Sequence, residues 1–252
     1  MIKASDVKFA RPADELRPPT HAPPGPIASF LHRAFWIGIA MLTIGLLLIG
    51  SLWQASQVEP EFYREALERS DESEVQGNAE LLSSTAQVAE KIDGSEPWEL
   101  TVTEAQVNGW LALELPDLLA QRGVSGVEEP RCRIDENGIR LACRWSASGI
   151  GGVLVLHCYP VLDAEHEALA IELRGLKSGL LPVPRRRWLE PLRRATDSPD
   201  LPIRWTTDAD PPRIIVALDR IETRPGRVLS LERFELADGA LELAGSSRPL
   251  DD

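Results

Sequence analysis

The sequence contains few of the residues on which most enzyme and metal-site signatures depend. Its 252 residues include three cysteines and four histidines. No cysteine pair has zinc-site spacing, and neither a Ser-centred nucleophile elbow nor a His-Glu-x-x-His motif occurs. Adjacent strand residues point to opposite faces, so His157 and Cys158 would not act together as base and nucleophile. We therefore predict that the protein is not an enzyme and has no catalytic residue, cofactor or metal site.

A hydrolase without a recognisable motif is the alternative. Such an enzyme would require Asp163, Glu165 or Glu172 to converge with His157 or His166 in one cleft. The sequence pattern does not decide whether these side chains meet.

Positive charge is also scarce, and the formal net charge is -12. Residues 1–53 hold five basic and three acidic side chains, which leaves 22 basic and 36 acidic ones in the remainder. Because a nucleic-acid backbone repels such an acidic domain, we predict no nucleic-acid partner.

One long segment, residues 34–53, has no charged side chain at all. As a helix its twenty residues would span about 30 Å, the thickness of a bilayer core, and ten of them are Leu, Ile or Phe. The 33 residues that precede it disfavour a cleaved signal peptide. Arg33 lies just before the segment, whereas the first basic residue after it is Arg64. This asymmetry predicts a single-pass membrane protein with a cytoplasmic N-terminus and an extracytoplasmic C-terminal domain.

Proline and charge divide the rest of the chain. Six prolines before residue 27 favour a disordered, Pro-rich cytoplasmic tail. The acidic segment after residue 53 has helical periodicity with a break at Gly77-Asn78, which is typical of a solvated spacer that lifts a domain off an anionic bilayer. The predicted organisation is a tail at 1–33, a transmembrane helix at 34–53, an acidic helical stalk at 54–95, an extracytoplasmic domain at 96–246 and a tail at 247–252.

Alternating apolar residues predict that the domain consists mainly of strands. A capping box, Thr103 with Gln106, starts a helix that Pro116 kinks or interrupts. Gly149, Gly151 and Gly152 lack dinucleotide-binding spacing, and we expect them to relax a turn or bulge. The predicted fold class is α+β, an antiparallel β-rich domain with one or two packed helices, preceded by the transmembrane helix and stalk. Strands are predicted at 98–102, 152–158, 168–174, 203–207, 213–218, 228–236 and 240–244, with a helix at about 185–196.

A hairpin is predicted around Asn137-Gly138, a pair typical of two-residue type I′ turns. That turn would place Cys132 opposite Cys143, with the apolar residues of both strands on one face. The apposition allows a disulfide, which an extracytoplasmic compartment permits, but two buried thiols are an equal alternative. Cys158 would then be a free core cysteine.

The helix at 185–196 has a basic face opposite an apolar stripe. Arg186, Arg187, Arg193 and Arg194 lie opposite Trp188 and its apolar neighbours. Such a face could bind an anionic ligand or face lipid headgroups. It could equally be solvated or pair with the acidic stalk.

The segment LTVTEAQVNGWLALELPDLL, followed by strands and an LPVP element before a helix, resembles uncharacterised bacterial single-pass envelope proteins. It is also similar to the YpmS-like group, whose extracytoplasmic domains are β-rich. The resemblance covers about residues 98–244 and rests on Thr103-Glu104 with Asn108 and on the turn from Leu181 to Pro184. It implies a lipid-linked or envelope-assembly role, and it supplies no site residue.

These features predict a membrane-anchored extracytoplasmic protein that binds a ligand or acts as a scaffold. Its predicted partners are the lipid bilayer and either a lipid or lipid-linked ligand or an envelope protein. An interaction module without a small ligand is the first alternative, and the hydrolase is the second.

Overall fold

The computed structural model describes residues 26–147, 150–163, 167–196, 202–224 and 227–249. The chain divides into two compact units, with the boundary between Ile49 and Gly50. The helices are α1 Pro26–Ser56, α2 Glu61–Leu67, α3 Asp71–Gly94, α4 Glu104–Leu113, α5 Leu115–Gln121 and α6 Arg185–Thr196. The strands are β1 Trp98–Thr103, β2 Val127–Asp135, β3 Gly138–Ala147, β4 Ile150–Asp163, β5 Ala168–Ser178, β6 Leu181–Pro182, β7 Ile203–Thr206, β8 Arg213–Ala217, β9 Glu222–Arg224, β10 Arg227–Ala237 and β11 Ala240–Pro249.

Helix α1 contains the uncharged segment and begins earlier than expected. Residues 26–33 were expected to be extended tail, yet they are helical, because Pro26 occupies the first turn, where proline is tolerated. The apolar side chains of α1 between Met41 and Trp53 are exposed, and Leu47 is 69% accessible. Among the described residues, no single helix is both long enough and apolar enough to cross a membrane. The pair formed by Met41–Ser56 and Glu61–Leu67 is long and apolar enough when taken together, but it is bent by 51°. The transmembrane helix therefore stays a prediction.

Two antiparallel sheets form the framework of the second unit. One has the strand order β1-β11-β10-β9, and the other β2-β3-β4-β5-β8-β7 with β6 paired to β5. Every pair of neighbouring strands in the described residues is antiparallel, which confirms the α+β class built on antiparallel sheet. The predicted capping box at Thr103 and Gln106 is confirmed at the start of α4, and Pro116 lies in the first turn of α5, where the chain begins a new helix.

Helix α4 covers the outer edge of β2. The amide of Asn108 donates to the carbonyl oxygen of Cys132 at 3.0 Å, and its Oδ1 accepts from the Cys132 N–H at 2.7 Å. One turn earlier, Oε2 of Glu104 accepts from the Ile134 N–H at 3.1 Å. An edge strand exposes unpaired backbone groups, and here two buried polar side chains satisfy them. The edge of the larger sheet is thereby closed by α4.

The acidic segment packs on the domain instead of standing clear of it as a solvated stalk. Helix α3 runs without interruption from Asp71 to Gly94, so the expected break at Gly77-Asn78 is wrong. The backbones of α3 and α4 meet at Gly77 and Gly109, neither of which has a side chain to hold the helices apart. Glu74 of α3 also forms a nearly buried ion pair with Arg131 of β2. These partners, which are distant in the sequence, offset the low hydrophobicity that suggested a spacer.

The hairpin of β2 and β3 has a different register from the predicted one. Cys132 lies opposite Leu141 and not opposite Cys143, because Glu136 and Asn137 form the turn in place of Asn137 and Gly138. The Asp135 carboxylate accepts from the Asn137 N–H at 2.9 Å and stabilises this turn. Cys132, Cys143 and Cys158 are free thiols in the structure.

The C-terminal tail also differs from the expectation. Strand β11 continues to Pro249, so residues 247–249 belong to the sheet. Ser247 is buried opposite Leu229, and its carbonyl oxygen accepts from the guanidinium of Arg227. The pairing with β10 therefore orders a polar sequence that carries no strand signal of its own.

Burial controls the reactivity of the thiols. Burial raises the pKa of Cys132 to about 12, with a further contribution from Glu104, and burial raises the pKa of Cys158 to about 11. Since thiolate is the reactive form, we expect neither thiol of the folded chain to react with a water-soluble aromatic disulfide at pH 8, whereas urea should release both. Rapid reaction of either thiol before unfolding would contradict this burial.

The raised values also predict alkaline destabilisation. The neutral Cys132 thiol is favoured in the folded state. Its contribution to the free energy of unfolding is therefore fully present below the ordinary pKa of 9.0 and is lost as the pH rises toward 12. Burial likewise raises the pKa of Tyr63 to about 12 from 10.0. We expect the urea midpoint of unfolding to fall steadily between pH 9 and pH 11. A midpoint that is constant over this interval would contradict the prediction.

Candidate functional site

A groove of about 420 Å³ opens where β5 changes its neighbouring strand. Strand β8 pairs with β5 only as far as Glu172, and β6 pairs with it at Lys177 and Ser178. Between these positions β5 has no strand partner on this side, and α6 with the loop before β8 forms the opposite wall. The groove is therefore produced by a gap in the sheet that no single sequence segment encodes.

The polar lining of the groove is predominantly basic. Its cationic side chains come from β3, β5 and α6, and one acidic side chain comes from the loop before β8. They are Arg140, Arg174, Lys177 and Arg185, with Asp210 as the acid and His157 as a further polar residue. A concentration of positive charge in a strongly acidic domain is a local feature that attracts anions.

Two of these arginines are held in place by neighbouring groups. The guanidinium of Arg174 lies 4.0 Å from the centre of the Tyr159 ring and donates to the carbonyl oxygen of Asn137 at 3.1 Å. Arg185 donates to the carbonyl oxygens of Thr207 and Ala209. Carbonyl and aromatic partners fix the position of each guanidinium. Each arginine also lies near one carboxylate, Arg174 at 3.7 Å from Glu172 and Arg185 at 3.6 Å from Asp210.

The remaining two cations differ in what they can offer a ligand. Arg140 is partly neutralised by Asp135 at 2.7 Å and stacks on Phe62 with 5.0 Å to the ring centre. Lys177 is exposed, and within the described part of the chain its ammonium has no ion pair or hydrogen bond. Lys177 is therefore the cation of the groove that is most available to an anionic ligand.

The other wall of the groove is apolar. Trp188 of α6 is 8% accessible and packs on Leu173 and Cys158, while Leu176 and Val183 border the same cluster. The helix forms at 185–196 as predicted, and its apolar stripe is what holds it against β5. The groove thus places hydrocarbon and positive charge side by side.

The arginine face predicted on α6 lies outside this groove. Arg186, Arg187, Arg193 and Arg194 are all exposed. Arg193 and Arg194 approach Glu190 at 3.9 and 3.3 Å, which are solvent-exposed pairs of small energetic value. The side chains of Arg186 and Arg187 form no such pair with any described residue, and Arg186 borders a shallow depression with Arg185 and Leu189.

Of the acidic residues of the hydrolase alternative, Glu172 is engaged in ion pairs and Asp163 lies far along β4 from His157. Glu172 is held by Arg213 at 2.8 Å and Arg174 at 3.7 Å. Asp163 lies six residues after His157 on β4, a separation of about 20 Å in an extended strand. Glu165 and His166 lie outside the described residues. Among the residues that are described, no three His, Cys, Asp or Glu side chains are placed to hold a metal ion.

Sequence patterns identified α6 and missed most of the groove. Arg140, Arg174 and Lys177 lie on two strands and are separated in sequence, so no local motif links them. Their common signal is weak: each is a strand cation that directly follows an apolar residue. Comparison of the chain with protein-family models, with curated proteins and with solved structures finds no match. The resemblance to the YpmS-like group therefore remains a prediction.

Proposed function

We propose that this is a membrane-anchored, non-enzymatic extracytoplasmic protein that binds an anionic amphiphile, a lipid or a lipid-linked ligand. The observation that carries the proposal is the groove beside α6, in which basic side chains face an apolar wall. A volume of about 420 Å³ is within the range of small-molecule sites, which begins at roughly 300 Å³.

The two walls suit the two ends of such a ligand. A phosphate or carboxylate would lie beside Lys177 and Arg185, which can form charge-assisted hydrogen bonds to it. The hydrocarbon would lie against Trp188 and Leu176, whose burial from water favours binding. A neutral apolar molecule would leave the cations unpaired, and a small inorganic anion would leave the apolar wall in water.

The anchoring part of the proposal rests on the sequence and on exposure. Residues 34–53 have no charge, and their side chains that the structure describes in α1 are largely solvent-exposed apolar groups. Exposed leucines and isoleucines along a helix of this length are stable in hydrocarbon rather than in water. The position of Arg33 supports a cytoplasmic N-terminus and an extracytoplasmic groove.

A second candidate function is an envelope protein interaction through α6. The exposed and unpaired side chains of Arg186 and Arg187 favour it. In that case replacing Arg186, Arg187, Arg193 and Arg194 with serine would abolish crosslinking to an envelope protein and leave lipid binding unchanged.

Lys177→Glu tests the groove. We expect full-length protein in non-ionic detergent to bind dioctanoyl phosphatidic acid in calorimetric titration, and we expect the variant to bind it about tenfold more weakly, because one charge-assisted contact becomes a repulsion. Dioctanoyl glycerol, which has the same acyl chains and no phosphate, should bind much more weakly to both proteins.

Lys91→Glu is the matched control. Lys91 and Lys177 are the two lysines that follow residue 53, both are exposed, and the two variants have the same net charge. Lys91 is in the last turn of α3, away from the groove lining. An equal loss of affinity in both variants would mean that net charge, and not the groove, causes the effect. Equal binding of phosphatidic acid and diacylglycerol would contradict an anion site.

A further inference from the structure

Large apolar side chains are exposed at the end of the sheet where α1 terminates. Leu180, in the turn between β5 and β6, is 65% accessible, Trp53 is 50% accessible and Trp145 of β3 is 36% accessible. Trp53 and Trp145 line the same depression. Exposed leucine and tryptophan in one region mark an interaction surface more often than a solvated one.

One backbone hydrogen bond attaches this turn to the last turn of α1, and another attaches it to β4. The Leu180 N–H donates to the carbonyl oxygen of Ala55 at 3.0 Å, and the Gly179 N–H donates to that of Val153 at 2.7 Å. Leu180 is thus held beside Ala55, two residues after Trp53.

Glycines make this close approach possible. A Cβ on Gly179 would lie 2.3 Å from the Ala55 carbonyl oxygen, and one on Gly152 would lie 3.0 Å from that of Ser56. The side chain of Gln57 donates to the Gly151 carbonyl oxygen. Gly151 and Gly152 were expected to relax a turn or bulge, whereas Gly152 accommodates the end of α1 against the sheet. Gly149 lies outside the described residues.

We infer that the Leu180 turn lies in the headgroup region of the membrane and inserts its leucine there. The inference rests on the proposed anchoring by α1. Trp53 ends the uncharged segment, and tryptophan at the end of a span lies at headgroup level. A side chain bonded through its backbone to Ala55 lies at nearly the same depth, and Leu180 gains burial there that the folded domain does not give it. The bilayer is the occupant because Trp53, the last residue of the uncharged segment, belongs to this surface.

This placement brings the groove to the membrane surface. Lys177 and Pro182 line the groove and flank Gly179 and Leu180 in sequence. Three residues of extended chain cover about 10 Å, which is comparable with the thickness of the interfacial region. The headgroup of a lipid in the adjacent leaflet therefore lies within reach of Lys177.

A fluorescent label at position 180 tests the inference. Full-length Leu180→Cys, labelled with an environment-sensitive NBD group, would be reconstituted into phosphatidylcholine vesicles with and without lipid bearing a shallow nitroxide quencher. Cys132 and Cys158 are buried, Cys143 is half-buried, and burial raises the pKa of all three thiols, so labelling at neutral pH favours the added cysteine. We expect the quencher to lower the fluorescence at position 180 about twofold or more, as for a group within ~5 to 10 Å of the headgroup boundary.

Two labelled variants separate the possible failures. Leu82→Cys labels an exposed leucine on α3 and should not be quenched, and Leu47→Cys labels an exposed leucine of the span and should be quenched by a deeper nitroxide. If the label at position 47 were quenched while the label at position 180 behaved like that at position 82, the inference would be overturned and the anchoring would stand. No quenching at 47 would overturn the anchoring, and the inference would fall with it.

Discussion

Replacing Asn108 with leucine is expected to lower the free energy of unfolding by about 3 kcal/mol, because it leaves two buried backbone groups without partners. Asn108 is 2% accessible, and its side-chain amide bonds both the N–H and the carbonyl oxygen of Cys132 at 2.7 and 3.0 Å. Leucine has the same number of side-chain heavy atoms and a similar branched shape, so the change removes the hydrogen bonds without creating a cavity. The loss would be measured by urea unfolding of the full-length chain in non-ionic detergent.

Gln87→Leu provides the comparison for this variant. Gln87 is exposed on α3, so the same replacement residue there should change the free energy of unfolding by less than about 0.5 kcal/mol. If Asn108→Leu were as stable as the unchanged chain, the side chain would not be what closes the edge of β2. A large loss in both variants would point to leucine on a helix surface rather than to the lost bonds.

Gly109→Ala is expected to destabilise the domain by about 2 to 3 kcal/mol through overpacking. The new Cβ would lie 2.4 Å from the Glu74 carbonyl oxygen and 2.6 Å from the Asn78 nitrogen. Both atoms belong to the backbone of α3, so no side-chain rotation relieves the contact and the helices must separate. Separation would also weaken the ion pair of Glu74 with Arg131. Thermal unfolding followed by circular dichroism would measure the change.

Gly94→Ala is the matched substitution on the same pair of helices. A Cβ at Gly94 would come no closer than 3.5 Å to the Glu96 side chain, an ordinary contact. Alanine also favours helix over glycine by up to about 1 kcal/mol, so this variant should be as stable as the unchanged chain or slightly more stable. Equal effects at positions 94 and 109 would contradict a close contact between α3 and α4.

These contacts connect the framework to the proposed function. Asn108 holds α4 on β2, and Gly109 allows α3 to pack closely on α4. The larger sheet positions the cations of the groove through β3 and β5. The groove and the Leu180 turn both lie at the end of β5 that β8 does not cover. A change that disturbed α4 would lower the stability of the domain, whereas Lys177→Glu would alter binding alone.

Local sequence patterns determined much of this protein. The period of apolar residues identified α6 and all the described strands except β6 and β9. The Thr103 capping box identified the start of α4, and Pro116 marked where that helix ends. Each is a short-range effect, in which a side chain acts on its own backbone or on residues one turn away. The face of the β2 and β3 hairpin was also predictable, since alternation fixes it.

The tertiary structure decided the rest. A shift of two residues leaves every side chain of a hairpin on the same face, so the apolar pattern could not distinguish Cys132 opposite Cys143 from Cys132 opposite Leu141. The acidic segment became part of the fold because Gly77 meets Gly109, a contact that neither glycine signals alone. Arg140, Lys177 and Arg185 came together for the same reason: their positions follow from strand pairing between distant segments, and that pairing is selected by the packing of the whole domain.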